Sequence, residues 1–171
     1  QALDVAFLID TVLAWNEEPG NAFYGKVDAS RIACNGHSLG GATCLLAGFH
    51  PTHGDARIGA IAPLAPLACV FTDIFFDAPE LPMMIVAGTD DLITPYPSNG
   101  FGPFQMAEQP KYLVTIDGGT HLGFANELSF TNPDDHPDDT VFCSGLFPDL
   151  SERPGDFTLE IPEDYLGGAA A

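Results

Sequence analysis

Three polar side chains, those of Ser38, Asp91 and His121, could together carry out nucleophilic chemistry. Ser38 is the central residue of GHSLG at positions 36–40, which has the pattern G-x-S-x-G. Where this pattern joins a strand to a helix, it raises the serine hydroxyl above a sheet. A histidine can then take the serine proton, and an aspartate can orient that histidine.

The elements around Ser38 fit this interpretation. Residues 31–35 form an apolar run typical of a strand, and residues 42–49 have the composition of a helix. Glycines are expected in such a turn because side chains beside the strained serine would clash. The N–H of Leu39 would then be able to donate to an oxyanion. The alternative is a glycine-rich turn in which Ser38 only caps a helix.

The candidate acid and histidine each follow a predicted strand. Residues 81–88 are a short, continuous apolar run, as in a parallel strand buried on both faces, and Asp90 and Asp91 follow it. Residues 111–117 predict a further strand, which leads into the loop of His121. Functional groups of α/β sheets gather at such carboxyl ends. The alternatives are a turn at Asp90 and Asp91 and a surface histidine.

With these segments, residues 1–128 resemble the C-terminal half of an α/β-hydrolase. The similar branch contains dienelactone hydrolases, platelet-activating-factor acetylhydrolase-like enzymes and cutinase-like polyester hydrolases. The resemblance rests on GHSLGG, MMIVAGTDDLITP and VTIDGGTHLGF, and on the chain order Ser, Asp, His. In that branch the acid lies four residues before a proline, which selects Asp91 over Asp90.

This resemblance implies an enzyme that cleaves small-molecule or polymeric carboxylic esters through an acyl-enzyme intermediate. Ser38 would be the nucleophile, His121 the general base and acid, and Asp91 its orienting partner, with Leu39 N–H in the oxyanion hole. No metal or organic cofactor is expected. Two alternatives remain: hydrolysis of a thioester, lactone or amide, and a catalytically weak binding or accessory chain.

The expected fold is α/β, with a mostly parallel sheet that lacks the N-terminal strands of the family. Residues 4–16 predict an amphipathic helix, with apolar residues at positions 5, 8, 9, 12 and 13. Only residues 1–30 precede the strand that is predicted before Ser38, here called the elbow strand. The earlier strands of the family and the second oxyanion donor therefore have no counterpart. We expect a fragment, a reduced form or a chain that needs a partner. A second copy or a missing N-terminal segment would cover the open sheet edge.

The segment between the helix predicted at 42–49 and the strand predicted at 81–88 supplies candidates for substrate contact. Residues 57–66 predict a strand ended by prolines, and the apolar residues 67–76 follow it. Core packing is the favoured interpretation of these apolar residues. The functional interpretation is an apolar wall for an acyl or aromatic group. The candidate substrate-binding residues are His37, Phe71, Phe75 and Phe76.

Residues 129–171 differ from the rest and are predicted to form an acidic extension, containing proline and glycine, that packs on the 1–128 core. Residues 132–139 are rich in oxygen groups that Ca²⁺ could bind, but they lack the EF-hand spacing. A solvated acidic loop is therefore the favoured interpretation.

Composition excludes other classes. The chain has 171 residues and a net charge of −19, which excludes a general nucleic-acid binder. It has no apolar run long enough to span a membrane. The cysteines lack zinc-site spacing, and Cys34 and Cys44 are expected to be small buried hydrophobes. Cys143 could pair with Cys69. The cysteines do not decide the redox compartment of the protein, and secretion or a periplasmic location is favoured.

Overall fold

The protein contains a sheet of four parallel strands in the order β1-β2-β3-β4. A computed structural model describes residues 1–76, 80–125 and 139. The strands are β1 (Ile32–His37), β2 (Ile58–Leu64), β3 (Met83–Gly88) and β4 (Lys111–Ile116). All three strand pairs are parallel. The predicted α/β class is confirmed.

One helix precedes the sheet, and the other helices lie in the connections between strands, as parallel pairing requires. They are α1 (Ala2–Glu17), α2 (Leu39–Phe49), α3 (Asp73–Phe76) and α4 (Gly102–Met106). A one-turn π-helix (Pro97–Phe101) runs directly into α4, and a short 3₁₀ turn (Leu122–Phe124) follows His121. None of the described helices is long and apolar enough to cross a membrane.

The core lies where α2 and the phenylalanine-rich segment pack on the sheet. Phe75 and Phe76 are 1% and 0% exposed, and Phe71 is also buried. The Phe71 ring stacks on Phe75 with 4.2 Å between centroids, and Phe76 meets Phe49 edge-on. Because buried rings present almost no surface to a ligand, the interpretation of these three phenylalanines as a substrate wall is wrong. They are core residues.

Helix α1 buries a different stripe from the one predicted. Val5 and Ile9 pack against the core, but Leu8 is 59% exposed. Leu3 and Phe7 are exposed beside it. The predicted helix is confirmed, whereas the inward position of Leu8 is wrong. The spacing identified the helix, but apolar residues on both of its faces blurred which stripe faces inward.

Strand β1 is an edge strand in the part of the chain that the structure describes. Its one strand neighbour there is β2, paired from Ile32 with Ile58 to His37 with Leu64. In the larger sheet that the resemblance implies, the elbow strand would have neighbours on both sides. The open side of β1 is thus the side on which the sequence predicted missing strands.

A disulfide joins Cys34 of β1 to Cys44 of α2, across the turn that contains Ser38. The expectation that both are simple buried hydrophobes was therefore wrong. Two cysteines can form a disulfide when the strand and the helix place their side chains opposite each other. The spacing of Cys34 and Cys44 in the sequence does not show that they are placed in this way. Cys69 forms no disulfide with any described residue. Cys143 and the predicted domain boundary after residue 128 lie outside the described residues.

Candidate active site

Ser38 occupies a strained turn between β1 and α2. Its backbone has φ 57° and ψ −120°, a conformation that non-glycine residues rarely adopt and that is associated with functional sites. Backbone bonds hold it there: Ser38 N–H donates to Leu64 O (2.9 Å), and Ser38 O accepts from Leu67 N (3.2 Å). The Ser38 side chain makes no capping hydrogen bond to α2. The alternative of a simple helix cap is therefore wrong.

The tightness of this turn explains its glycines. A Cβ on Gly36 would collide with the carbonyl of Gly40, and one on Gly41 would press on Pro66. Because glycine lacks a Cβ, the strand can lead directly into the helix.

Leu39 is the first residue of α2, where N–H groups have no partner within the helix. The positive end of the helix dipole lies there as well, so this N–H suits a developing negative charge.

Asp91, and not Asp90, meets the histidine. Asp91 is 4% exposed, and its Oδ2 lies 2.9 Å from Nδ1 of His121. Its Oδ1 accepts from the N–H groups of Ile93 and Thr94, at 2.9 and 2.6 Å. Asp90 is exposed and accepts from the hydroxyl of Thr89. The turn thus fixes the Asp91 carboxylate with one oxygen toward His121.

Thr94 is a third member of this buried group, and sequence reasoning missed it. Its Oγ1 lies 2.8 Å from Oδ2 of Asp91 and 3.0 Å from Nδ1 of His121. It also lies 3.1 Å from the carbonyl oxygen of Ala65. The spacing Asp-x-x-Thr was a signal, but it is common in turns and does not point to a histidine. Thr94 helps to fix the geometry of the Asp91–His121 pair.

The histidine loop contacts the residue before the nucleophile. The rings of His37 and His121 lie 4.5 Å apart, and Nε2 of His37 lies 3.1 Å from the carbonyl oxygen of His121. Burial, and then the nearby His121, lower the pKa of His37. A neutral His37 with its proton on Nε2 can donate to that carbonyl. This contact brings the His121 loop against the Ser38 turn.

The acid and histidine loops also approach each other closely where β3 and β4 end. A Cβ on Gly88 would collide with the carbonyl of Gly119. Asp90 N–H donates to that same carbonyl at 3.0 Å, and Thr89 N–H donates to Ile116 O at 3.0 Å. Glycine at position 88 permits this contact.

Asp139 joins the same region from the acidic C-terminal segment. Its side chain is 1% exposed and accepts from backbone N–H groups of the acid and histidine loops. The interpretation as a solvated loop is wrong for Asp139, because its carboxylate lies inside the protein. Residues 132–138 lie outside the described residues. Across the described ranges, no group of His, Cys, Asp or Glu could hold a metal ion.

A family model described as PET hydrolase-like, PETase, matches residues 3–132. Together with the parallel sheet, this match confirms the resemblance to the α/β-hydrolases. Since the match spans more than half of the chain, the chain belongs to the PET hydrolase-like family.

Among solved structures, the chain is similar to the esterase domain of a Rhodothermus marinus protein. The two share 20% identity with a TM-score of 0.43, and the alignment covers 66% of this chain and 55% of that one. The chain therefore spans about half the length of that domain. No curated protein matches the chain.

Proposed function

We propose that this protein hydrolyses carboxylic esters with Ser38 as nucleophile, His121 as general base and acid, and Asp91 as orienting group. The observation that carries the proposal is the 2.9 Å contact between Asp91 Oδ2 and His121 Nδ1. His121 also contacts His37, the residue that precedes a serine held at φ 57°. Family membership supports the same chemistry.

In the first half of the reaction, Oγ of Ser38 bonds to the ester carbonyl carbon while Nε2 of His121 takes the hydroxyl proton. The negative carbonyl oxygen receives a hydrogen bond from Leu39 N–H. The bond to the alcohol oxygen then breaks, and His121 returns the proton to the departing alkoxide. In the second half, water attacks the acyl-enzyme in the same way and releases the acid and free Ser38. Asp91 stabilises the His121 cation in both halves.

We infer that the substrates include polymeric as well as small esters. The family name refers to a polyester. An apolar polymer chain would bind to apolar side chains of the protein beside a serine that the polymer can reach. Leu39 and Leu92, the residues that follow Ser38 and Asp91, have exposed apolar side chains. They replace the buried phenylalanines as candidates for contact with an apolar substrate, and His37 remains a candidate. Thioester, lactone and amide substrates are alternatives, and hydrolysis rates measured on each of them and on an ester would compare them.

A fluorophosphonate probe tests the nucleophile directly. We expect the protein to hydrolyse a short-chain p-nitrophenyl ester and to lose this activity as the probe reacts, because both need the same activated hydroxyl. Peptide mapping by mass spectrometry should find the probe on Ser38. Labelling of another serine, or full ester hydrolysis after stoichiometric labelling of Ser38, would contradict the proposal.

We also propose that a second polypeptide segment pairs with the edge of β1 that has no strand neighbour among the described residues, and that it supplies the second oxyanion donor. An unpaired edge strand favours association, and the loss of one oxyanion donor typically lowers kcat about 10²–10³-fold. We expect either self-association or weak turnover of the isolated chain. Light scattering at several concentrations, with ester assays on the same samples, measures both. A stable monomer with an ordinary kcat, about 1–10³ s⁻¹, would refute this proposal.

A further inference from the structure

Asp139 links the two loops that contain Asp91 and His121. Its Oδ2 accepts from Leu92 N–H at 3.0 Å and from His121 N–H at 2.8 Å. Its Oδ1 accepts from Leu122 N–H at 3.0 Å. Leu92 directly follows Asp91, and the other two N–H groups belong to His121 and the residue after it. One carboxylate therefore ties the main chain of the acid loop to the main chain of the histidine.

The surroundings of Asp139 make this link strong. Its side chain is 1% exposed, so water does not compete for the three N–H groups. Burying a carboxylate is unfavourable unless hydrogen bonds compensate it, and three N–H donors satisfy both oxygens. Hydrogen bonds to a charged acceptor are stronger than neutral ones. Leu122 also begins the 3₁₀ turn after His121, where N–H groups need an acceptor from outside the turn.

The other contacts between the acid loop and the histidine loop do not involve the backbone N–H of His121. Gly88 and Gly119 meet where the strands end, and Asp90 N–H donates to Gly119. Thr94 contacts the side chains of the pair but not the main chain of His121. Asp139 is the acceptor for the N–H of His121 itself, and this bond fixes where its Cα, and hence its ring, lies relative to Asp91.

We propose that Asp139 is a positioning residue, which sets the geometry of the Asp91–His121 pair through the backbone of both loops. The inference rests on the proposed function, because the pair matters for turnover only if it serves Ser38. Asp139 lies beyond the 3–132 family match, so the match gives it no role.

Graded substitutions of Asp139 test this role. Asp139→Ala removes both acceptor oxygens and so all three hydrogen bonds, and small displacements of a catalytic group can cost about 100-fold in rate. We expect kcat to fall about that far, with KM for a soluble p-nitrophenyl ester unchanged. Asp139→Asn keeps one oxygen acceptor but sets an amide N–H₂ against a backbone N–H, so we expect a smaller loss of about tenfold. Asp117→Asn, an exposed aspartate beyond β4, is the matched control and should keep full activity.

Two further measurements separate positioning from loss of fold. The downfield proton resonance of a hydrogen-bonded His–Asp pair should be present in the parent protein and should shift or broaden in Asp139→Asn. Amide exchange at Leu92, His121 and Leu122 should accelerate in the variants, while exchange in β3 stays unchanged. If Asp139→Ala fails to fold, Asp139→Asn provides the result alone.

The outcomes distinguish the two proposals. A parent protein with no ester turnover would refute the proposed function, whereas the resonance and the three amides would still report on Asp139. An active parent whose kcat, histidine resonance and amide exchange are all unchanged in Asp139→Asn would overturn the role of Asp139 alone. A rise in KM with kcat unchanged would also overturn it, because that pattern reports substrate binding rather than positioning.

Discussion

Ser38→Ala should abolish turnover of a short-chain p-nitrophenyl ester, with a fall in kcat of about 10⁶-fold, as for nucleophile removal in a serine protease. The proposed reaction forms its covalent bond at Oγ of Ser38, so without this atom only binding and the oxyanion donor would remain. Alanine can take the same backbone conformation as serine, and the Ser38 hydroxyl makes no capping bond to α2. The fold should therefore be retained.

Ser30→Ala is the matched control for this prediction. Ser30 is exposed, and its hydroxyl donates to Asp28 at 2.6 Å, away from the described site. We expect Ser30→Ala to keep full activity, and both variants to keep the circular dichroism spectrum and Tm of the parent. Ester hydrolysis at the parent rate in well-folded Ser38→Ala would rule out Ser38 as the nucleophile.

Asp91→Asn should lower kcat by about 10⁴-fold, the size of the equivalent loss in serine proteases. The oxygen of asparagine can still accept from Ile93 and Thr94, so the turn survives. Its N–H₂ group then faces Nδ1 of His121 and favours the tautomer with the proton on Nε2. That tautomer cannot take a proton from Ser38.

The neighbouring variant Asp90→Asn controls for the loss of one charge in the same loop. Asp90 is exposed, and Thr89 is the one described residue whose side chain donates to its carboxylate. We expect a change in kcat of less than about tenfold, since surface substitutions usually have small effects. Steady-state kinetics of the two variants decide the matter, and a larger loss in Asp90→Asn would reverse the choice of acid.

The strands and their mostly parallel arrangement could be predicted from the sequence because each strand is a short run between glycine, proline or charged residues, whereas their order in the sheet was not predicted. The tight turn between a strand and a helix at Ser38 could be predicted as well, since its glycines are required locally by the turn. The pairing of His121 with an acid at positions 90–91 followed from the rule that parallel strands bring their carboxyl ends to one edge, and the resemblance selected Asp91 over Asp90. These signals are local in sequence or follow from topology.

The sequence could not predict features that depend on which side chains meet across the fold. Asp139 is one of several aspartates in an acidic segment, and only its burial against two distant loops distinguishes it. Core packing was the favoured interpretation of Phe75 and Phe76 and agrees with their burial, but their apolar character alone did not rule out contact with a substrate. The Cys34–Cys44 bond depends on how α2 sits over β1, and this is a tertiary relation.

The disulfide across the Ser38 turn determines how the protein should be produced and examined. Cytosolic thiols are normally kept reduced, so material made in a reducing cytoplasm would contain Cys34 and Cys44 as free thiols until it is oxidised. Trypsin cuts after Arg31 and Arg57, and residues 32–57 contain no other lysine or arginine. The resulting peptide contains Ser38 and both cysteines. One mass measurement on it would thus report the oxidation state of the bond and the occupancy of the nucleophile in the same molecule.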